Sequence, residues 1–105
     1  MKGGHSIYLD EVESAAFEID GIHEVAGVPL HLPAGGEDIG LLVRFLPDSG
    51  LTCAVVAAEL RQRLGAHRAP RRVIQITHAL PRTGSEKLDR QGVAEMWRSL
   101  VSLNS

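Results

Sequence analysis

Apolar residues recur along this chain with two different periods. Val12, Ala15, Ala16 and Ile19 fall at helical spacing, with Asp10 in the position of an N-cap and Asp20-Gly21 as a stop. A second helical stripe, Cys53, Val56, Leu60 and Leu64, follows Thr52, a capping residue, and ends at Gly65, the residue that most easily closes a helix. A third, Val93, Met96, Trp97, Leu100 and Val101, starts after Asp89. Between the helices lie short apolar runs at 24–28 and 39–46 and around Val73, Ile74 and Ile76, which read as strands. The segment Pro29 to Glu37 holds two prolines and two glycines and reads as a loop. Gly3-Gly4 suits a tight hairpin turn ahead of the first helix. The pattern predicts an α+β domain: a small three-layer-like unit with an N-terminal β-hairpin, a sheet of about three strands and three helices.

At 105 residues, 44% hydrophobic and 23% charged, the composition is that of one ordinary globular domain spanning residues 1–105. No apolar run approaches the ~18 residues that cross a membrane, and no signal peptide opens the chain. The single cysteine, Cys53, has no internal disulfide partner and reads as a small core residue in a reducing, cytoplasmic setting. The five histidines are scattered without cysteine partners, so no metal site is expected. Ser85 and His78 have no acidic orienter for triad chemistry.

Charge is segregated. Residues 1–60 carry ten acidic and two basic side chains, residues 61–105 three acidic and nine basic. The basic set is Arg61, Arg63, Arg68, Arg71, Arg72, Arg82, Lys87, Arg90 and Arg98, and its expected use is attraction of phosphate-bearing ligands or a solvated face. Nucleic acid is not an expected partner, because the four aromatic residues are not interleaved with the basic ones. Glu11 and Glu13 are expected to serve the first helix's terminus.

The densest chemistry lies in Pro81-Arg82-Thr83-Gly84-Ser85-Glu86-Lys87-Leu88-Asp89-Arg90. It resembles the Pro-x-Thr-x-Ser-Gly-Lys-x-x-Arg motif of adenylate-forming enzymes: acyl-CoA synthetases, aryl-acid ligases and peptide-synthetase adenylation domains. Glu86 stands where that family has glycine. Gly3 to Glu13 resembles the family's Gly-Gly-x-x-Ile-x-Pro-x-Glu-Val-Glu segment, with Leu9 in place of proline. Asp20 to Val28 resembles Pro-Gly-Val-x-Glu-Ala-x-Val, and Arg68-Ala69-Pro70 stands at Lys-x-Pro.

The four segments, in order, match the small carboxyl-terminal subdomain of those enzymes. The large nucleotide-binding domain, with its substrate pocket and most ATP contacts, has no counterpart here. The resemblance implies Lys87 as the catalytic residue, contacting ATP and the carboxylate during adenylation, with Thr83, Gly84, Ser85, Glu86 and Arg90 beside the substrate. It gives Gly3, Gly4 and His5 to the face that meets a pantetheine arm during thioester formation. The implied partner is an adenylation core acting in trans, with CoA or a carrier protein as thiol acceptor. No cofactor is expected on the isolated chain; ATP with magnesium and CoA or phosphopantetheine belong to the assembled enzyme. The alternatives are an excised piece of a complete ligase, or a binding or decoy module whose chemistry Glu86 has removed.

Overall fold

The computed structural model describes residues 3–33 and 35–103, with side chains from Leu9 onward. The element order is α1 (Gly3–Phe17), β1 (Ile22–His31), β2 (Glu37–Phe45), α2 (Cys53–Leu64), β3 (Arg72–Gln75) and α3 (Arg90–Leu103). The three strands form one mixed sheet in the order β1-β2-β3. β1 runs antiparallel to β2, pairing Gly27 with Leu41 and His31 with Glu37. β3 runs parallel to β2, pairing Gly40 with Arg72 and Val43 with Gln75, and α2 makes the crossover that a parallel pair requires.

Successive side chains of a strand point to opposite faces, and in the central strand both faces are apolar. Ile39, Leu41 and Val43 pack with Val12, Ala16 and Ile19 of α1 and the segment after it, and with Val56 and Leu60 of α2. Leu42 packs on the other side with Ala26, Val28, Ile74, Val93 and Trp97. The result is three layers, α1 and α2 above, the sheet between, and α3 below. Trp97 lies against the one β2 residue without a side chain: a Cβ at Gly40 would sit 2.4 Å from the indole ring.

The end signals of α2 and α3 are used as the sequence predicts. Thr52 accepts from the Val55 amide at 3.2 Å, and Gly65 closes the helix at φ 87°. Asp89 Oδ1 accepts from the Gly92 amide at 3.2 Å. Cys53 is half-buried, and that burial raises its thiol pKa against the partial offset of a backbone hydrogen bond at Gln75, which fits a structural residue.

Four expectations are corrected. Gly3-Gly4 does not turn a hairpin: α1 begins at Gly3 and runs unbroken through Asp10, which is therefore no N-cap. The replacement of the resembled family's proline by Leu9 explains this. Proline inside a helix removes a hydrogen bond and clashes with the preceding turn, whereas Leu9 is buried in the core with Val12 and Ala16 and extends their stripe by a turn. Pro29 lies within β1 rather than in a loop. It shares the outward parity of Gly27 on an edge strand, so its missing N–H costs no ladder bond. Glu11 and Glu13, in the middle of α1, do not serve its terminus: Glu11 pairs with Arg68 at 2.6 Å, and Glu13 pairs with Arg90.

The Trp97–Gly40 contact gives a direct test. Gly40→Ala forces the indole off the sheet and should cost about 1–3 kcal/mol of unfolding free energy, the range for overpacked cores. Urea denaturation followed by the fluorescence of the single tryptophan measures it. A variant as stable as the parent, with unshifted emission, would show that the ring does not rest on this strand.

Candidate functional site

The motif at 81–90 folds as a small closed hairpin ahead of α3. The Asp89 amide donates to the Pro81 carbonyl at 3.0 Å, the Thr83 amide to the Lys87 carbonyl at 2.8 Å, and the Glu86 amide to the Thr83 carbonyl at 2.9 Å. Arg82 and Leu88 form an antiparallel bridge at the neck. At the tip the Thr83 and Ser85 hydroxyls lie 3.2 Å apart, and the Ser85 amide donates to Thr83 Oγ1 at 3.3 Å.

This bonding is that of a three-residue hairpin loop, in which a type I turn is followed by one residue in the left-handed region. Glu86 is that residue, at φ 66°. The resembled motif has glycine there for a physical reason, because a side chain is disfavoured at that angle. The glutamate nonetheless adopts the glycine's conformation, so the motif's backbone is kept and its substitution is carried as strain.

Lys87, directly after this turn, is exposed and has no ion-pair partner among the described residues. Glu86 does not neutralise it. Most of the other basic residues are occupied. Arg63 pairs with Glu18 and Glu59, Arg68 with Glu11, Arg71 with Asp38, Arg82 with Glu24 and Arg90 with Glu13. The acidic first half and basic second half of the chain thus neutralise each other across the fold. The expectation that the nine basic residues draw phosphate narrows to Arg61, Arg72, Lys87 and Arg98, and only Lys87 of these lies in the hairpin.

Arg90, predicted to lie beside the substrate, is engaged in the scaffold. Its Nη1 donates to Glu13 Oε2 at 2.6 Å and its Nη2 to Oε1 at 3.1 Å, a bidentate geometry that holds a guanidinium firmly. The same Glu13 Oε2 accepts the Gly27 amide at 2.6 Å, and Arg90 reaches the Gly27 carbonyl at 3.4 Å. One ion pair therefore joins α1, β1 and α3. Thr83, Gly84, Ser85, Glu86 and Lys87 are brought together in the hairpin. Gly3, Gly4 and His5 start α1, and the position of the His5 side chain lies outside the described residues.

A second anchor was not identified from sequence. Glu24 Oε2 accepts from Arg44 Nη1 at 2.6 Å, and its Oε1 accepts from Arg82 Nη2 at 3.2 Å and from the Leu80 amide at 3.4 Å. Arg82 Nη1 also donates to the Glu86 carbonyl at 3.1 Å. Glu24 and Arg44 are direct cross-strand partners beside a register shift in β1. The available signal was parity: Glu24 shares its face with Ala26 and Val28, and a charge on a core-facing position implies a buried partner. Burial pushes the Glu24 carboxyl pKa up, but hydrogen bonds from Arg44, Arg82 and Leu80 outweigh it and hold the group below its ordinary value.

Among the described residues, no group of three His, Cys, Asp or Glu side chains is placed to hold a metal ion, and no helix is long and apolar enough to cross a membrane. A hollow of about 530 Å³ between the end of β1 and α3 includes Val28, Pro29, Trp97 and Arg98 in its lining and no residue of the hairpin.

Two predictions follow from this geometry. Glu86→Gly relieves the left-handed strain and should raise unfolding free energy by roughly 0.5–1 kcal/mol, the strain released less the added entropy of the unfolded glycine. A lower melting temperature would refute the strain. For Glu24, the folded carboxyl titrates below its unfolded value of ~4.3. Its stabilisation is therefore complete above that pH and is lost as pH falls through the lower folded value. Glu24→Gln should flatten this acid limb of the stability–pH curve, measured by thermal unfolding between about pH 2 and 6; an unchanged limb would remove Glu24 from it.

Comparison with known proteins places these features in a wider frame. Residues 11–87 match the family model described as the AMP-binding enzyme C-terminal domain. The chain is 31% identical over 103 residues to a nonribosomal peptide synthetase of Aspergillus flavus, covering 93% of this chain and 1% of that protein. It is 30% identical over 110 residues to an acyl-CoA ligase of Ajellomyces capsulatus, covering 96% of this chain and 18% of that ligase. Among solved structures, an amide bond synthetase of Marinactinospora thermotolerans superposes with a TM-score of 0.76 at 25% identity, covering 85% of this chain and 18% of that one. A fatty acyl CoA synthetase of Mycobacterium tuberculosis shares the fold with a TM-score of 0.75 at 23% identity, covering 86% of this chain and 18% of that one. The chain therefore spans less than a fifth of the length of these relatives.

Proposed function

Because the chain belongs to the AMP-binding enzyme C-terminal domain family of adenylate-forming ligases, we propose that it completes an adenylation core supplied in trans. The assembled pair activates a carboxylate with ATP and passes the acyl group to a thiol. The observation that carries this reading is Lys87: an exposed ammonium with no ion-pair partner among the described residues, on a closed hairpin, in a fold whose other hairpin cation, Arg82, is committed to an internal contact.

Adenylation is attack of a carboxylate oxygen on the α-phosphorus of ATP, forming a carboxylic–phosphoric anhydride and expelling pyrophosphate. Negative charge builds on the phosphoryl oxygens as the new bond forms. A cation fixed against them, where water is excluded by a docked core, stabilises that charge far more than bulk solvent allows. Lys87 supplies this cation in the proposal. Thr83 and Ser85 hold the hairpin tip and offer their hydroxyls at its rim. Arg90 acts through the scaffold, by its bond to Glu13.

Magnesium enters this reading with ATP, on the core. The thioester step, with CoA or the phosphopantetheine of a carrier protein as acceptor, rests on the resemblance of Gly3, Gly4 and His5 to the family's matching segment. Cytoplasmic location follows from the same reading.

Glu86 favours no decoy role, since the hairpin keeps the left-handed turn despite it. In a core-complemented assay, Lys87→Ala should slow adenylation by about 10²–10³-fold, the range for a lost transition-state charge contact. Thioester formation from preformed acyl-adenylate should change little. Glu86→Gly should leave adenylation equal or faster, and the chain without a core should catalyse no ATP–pyrophosphate exchange. Wild-type rates from Lys87→Ala in an active complex would end the catalytic assignment.

A further inference from the structure

The hairpin that presents Lys87 is tied to the sheet by one side chain on its own neck. Arg82 spans two acceptors, the Glu24 carboxylate at 3.2 Å and the carbonyl of Glu86, the residue before Lys87, at 3.1 Å. Glu24 is only 11% exposed at its side chain, and its other oxygen is fixed by Arg44 at 2.6 Å. Arg44 is the cross-strand partner of Glu24, so the carboxylate's position is set by the strand register. The Leu80 amide, one residue before the hairpin, approaches the same carboxylate at 3.4 Å. A route of short polar contacts thus runs from the sheet, through Glu24 and Arg82, to the peptide joining Glu86 to Lys87.

The need for such a tie is local. Glu86 occupies the left-handed region at φ 66°, where a residue with a side chain is strained and persists only if its surroundings hold it. The backbone bond from the Glu86 amide to Thr83 fixes one side of that residue, and the guanidinium fixes its carbonyl on the other. Without Arg82, the turn is free to relax to negative φ, and the direction in which Lys87 leaves the hairpin changes. A displacement of about 1 Å at a reacting group is enough to cost about two orders of magnitude in rate.

We propose that Glu24 is a positioning residue that acts through Arg82, holding the strained Glu86 turn so that Lys87 presents its ammonium in one direction. The assignment rests on the role of Lys87 given above, but the anchoring it describes is a property of this chain alone and is measurable without any core. Neither Glu24 nor Arg82 touches substrate in this scheme. Their effect on the reaction is confined to the step that uses Lys87.

Arg82→Met is the primary variant, because Arg82 is exposed and its loss leaves Glu24 paired to Arg44; Glu24→Gln and the double variant accompany it. In the isolated chain, hydrogen exchange at the Thr83 and Glu86 amides should accelerate about tenfold in Arg82→Met, while amides in β2 and α3 keep their parent rates. With a core present, adenylation should fall about tenfold in each single variant, with thioester formation from preformed acyl-adenylate within twofold of the parent. The double variant should be no slower than the slower single one, since groups acting in one chain of contacts give non-additive losses. Unchanged exchange at Thr83 and Glu86, additive losses in the double variant, or an equal fall in both half-reactions would each overturn the proposal. If Lys87→Ala proves silent in an active complex, it is the lysine's chemistry that fails, and the exchange rates still decide whether Arg82 holds the turn.

Discussion

A strand buried on both faces obliges the chain to supply a cover for each, and β2 sets that obligation here. Ile39, Leu41 and Val43 face one side and Leu42 the other, all at 1% exposure or less. Burying a side chain of this kind contributes about 1.5–3 kcal/mol, so neither face can be left to water. α1 and α2 answer the first demand, α3 the second. The position of α3 is then fixed by Trp97 against Gly40, and with α3 fixed the eight residues before it, 82–89, must close in the space beside β1. Core packing thus places the candidate site, and its polar contacts fix the detail.

Electrostatics completes what packing begins. Charges segregated along the sequence are interleaved in space, and the pairs Glu11–Arg68, Glu13–Arg90, Glu24–Arg82 and Asp38–Arg71 each join the first half of the chain to the second. The pairs Glu11–Arg68 and Asp38–Arg71 are the more exposed and contribute little individually. Glu13 and Glu24 differ, with side chains 14% and 11% exposed, each satisfying a backbone amide as well as an arginine. They are the two points at which the sheet is tied to the segment bearing Lys87. A free cation gains contrast from this arrangement, because the neighbouring charge is already spent.

The parts of the fold that were legible in the sequence are those set by local chemistry. Thr52, Gly65 and Asp89 act at helix ends as their side chains dictate, and the stripes of α2 and α3 face the core as their spacing requires. The segment 81–90 stood out by its resemblance to a short motif, whereas its closure as a hairpin depends on backbone bonds that the sequence pattern did not reveal. The misreadings arose where a local signal had to compete with a distant one. Asp10 is a good cap, but Leu9 reaches the core and carries the helix past it. Pro29 is a strand breaker, except that β1 is an edge. Glu24 and Arg82 lie 58 residues apart, and only the sheet register brings them together. Arg90 was legible as important, though its partner, 77 residues away, was not.

The bond between Glu13 and the Gly27 amide has a consequence for the behaviour of the chain at high concentration. β1 is an outer strand, and an outer strand whose amides are bare is a template on which another copy can lay a strand of its own. Here the carboxylate occupies the amide, Arg90 crowds the adjoining carbonyl, and two residues further on Pro29 has no amide to offer. Along Gly27–Pro29 this outer strand is therefore closed to strand addition by three different devices within three residues, two of them supplied by the ion pair that joins α1 to α3.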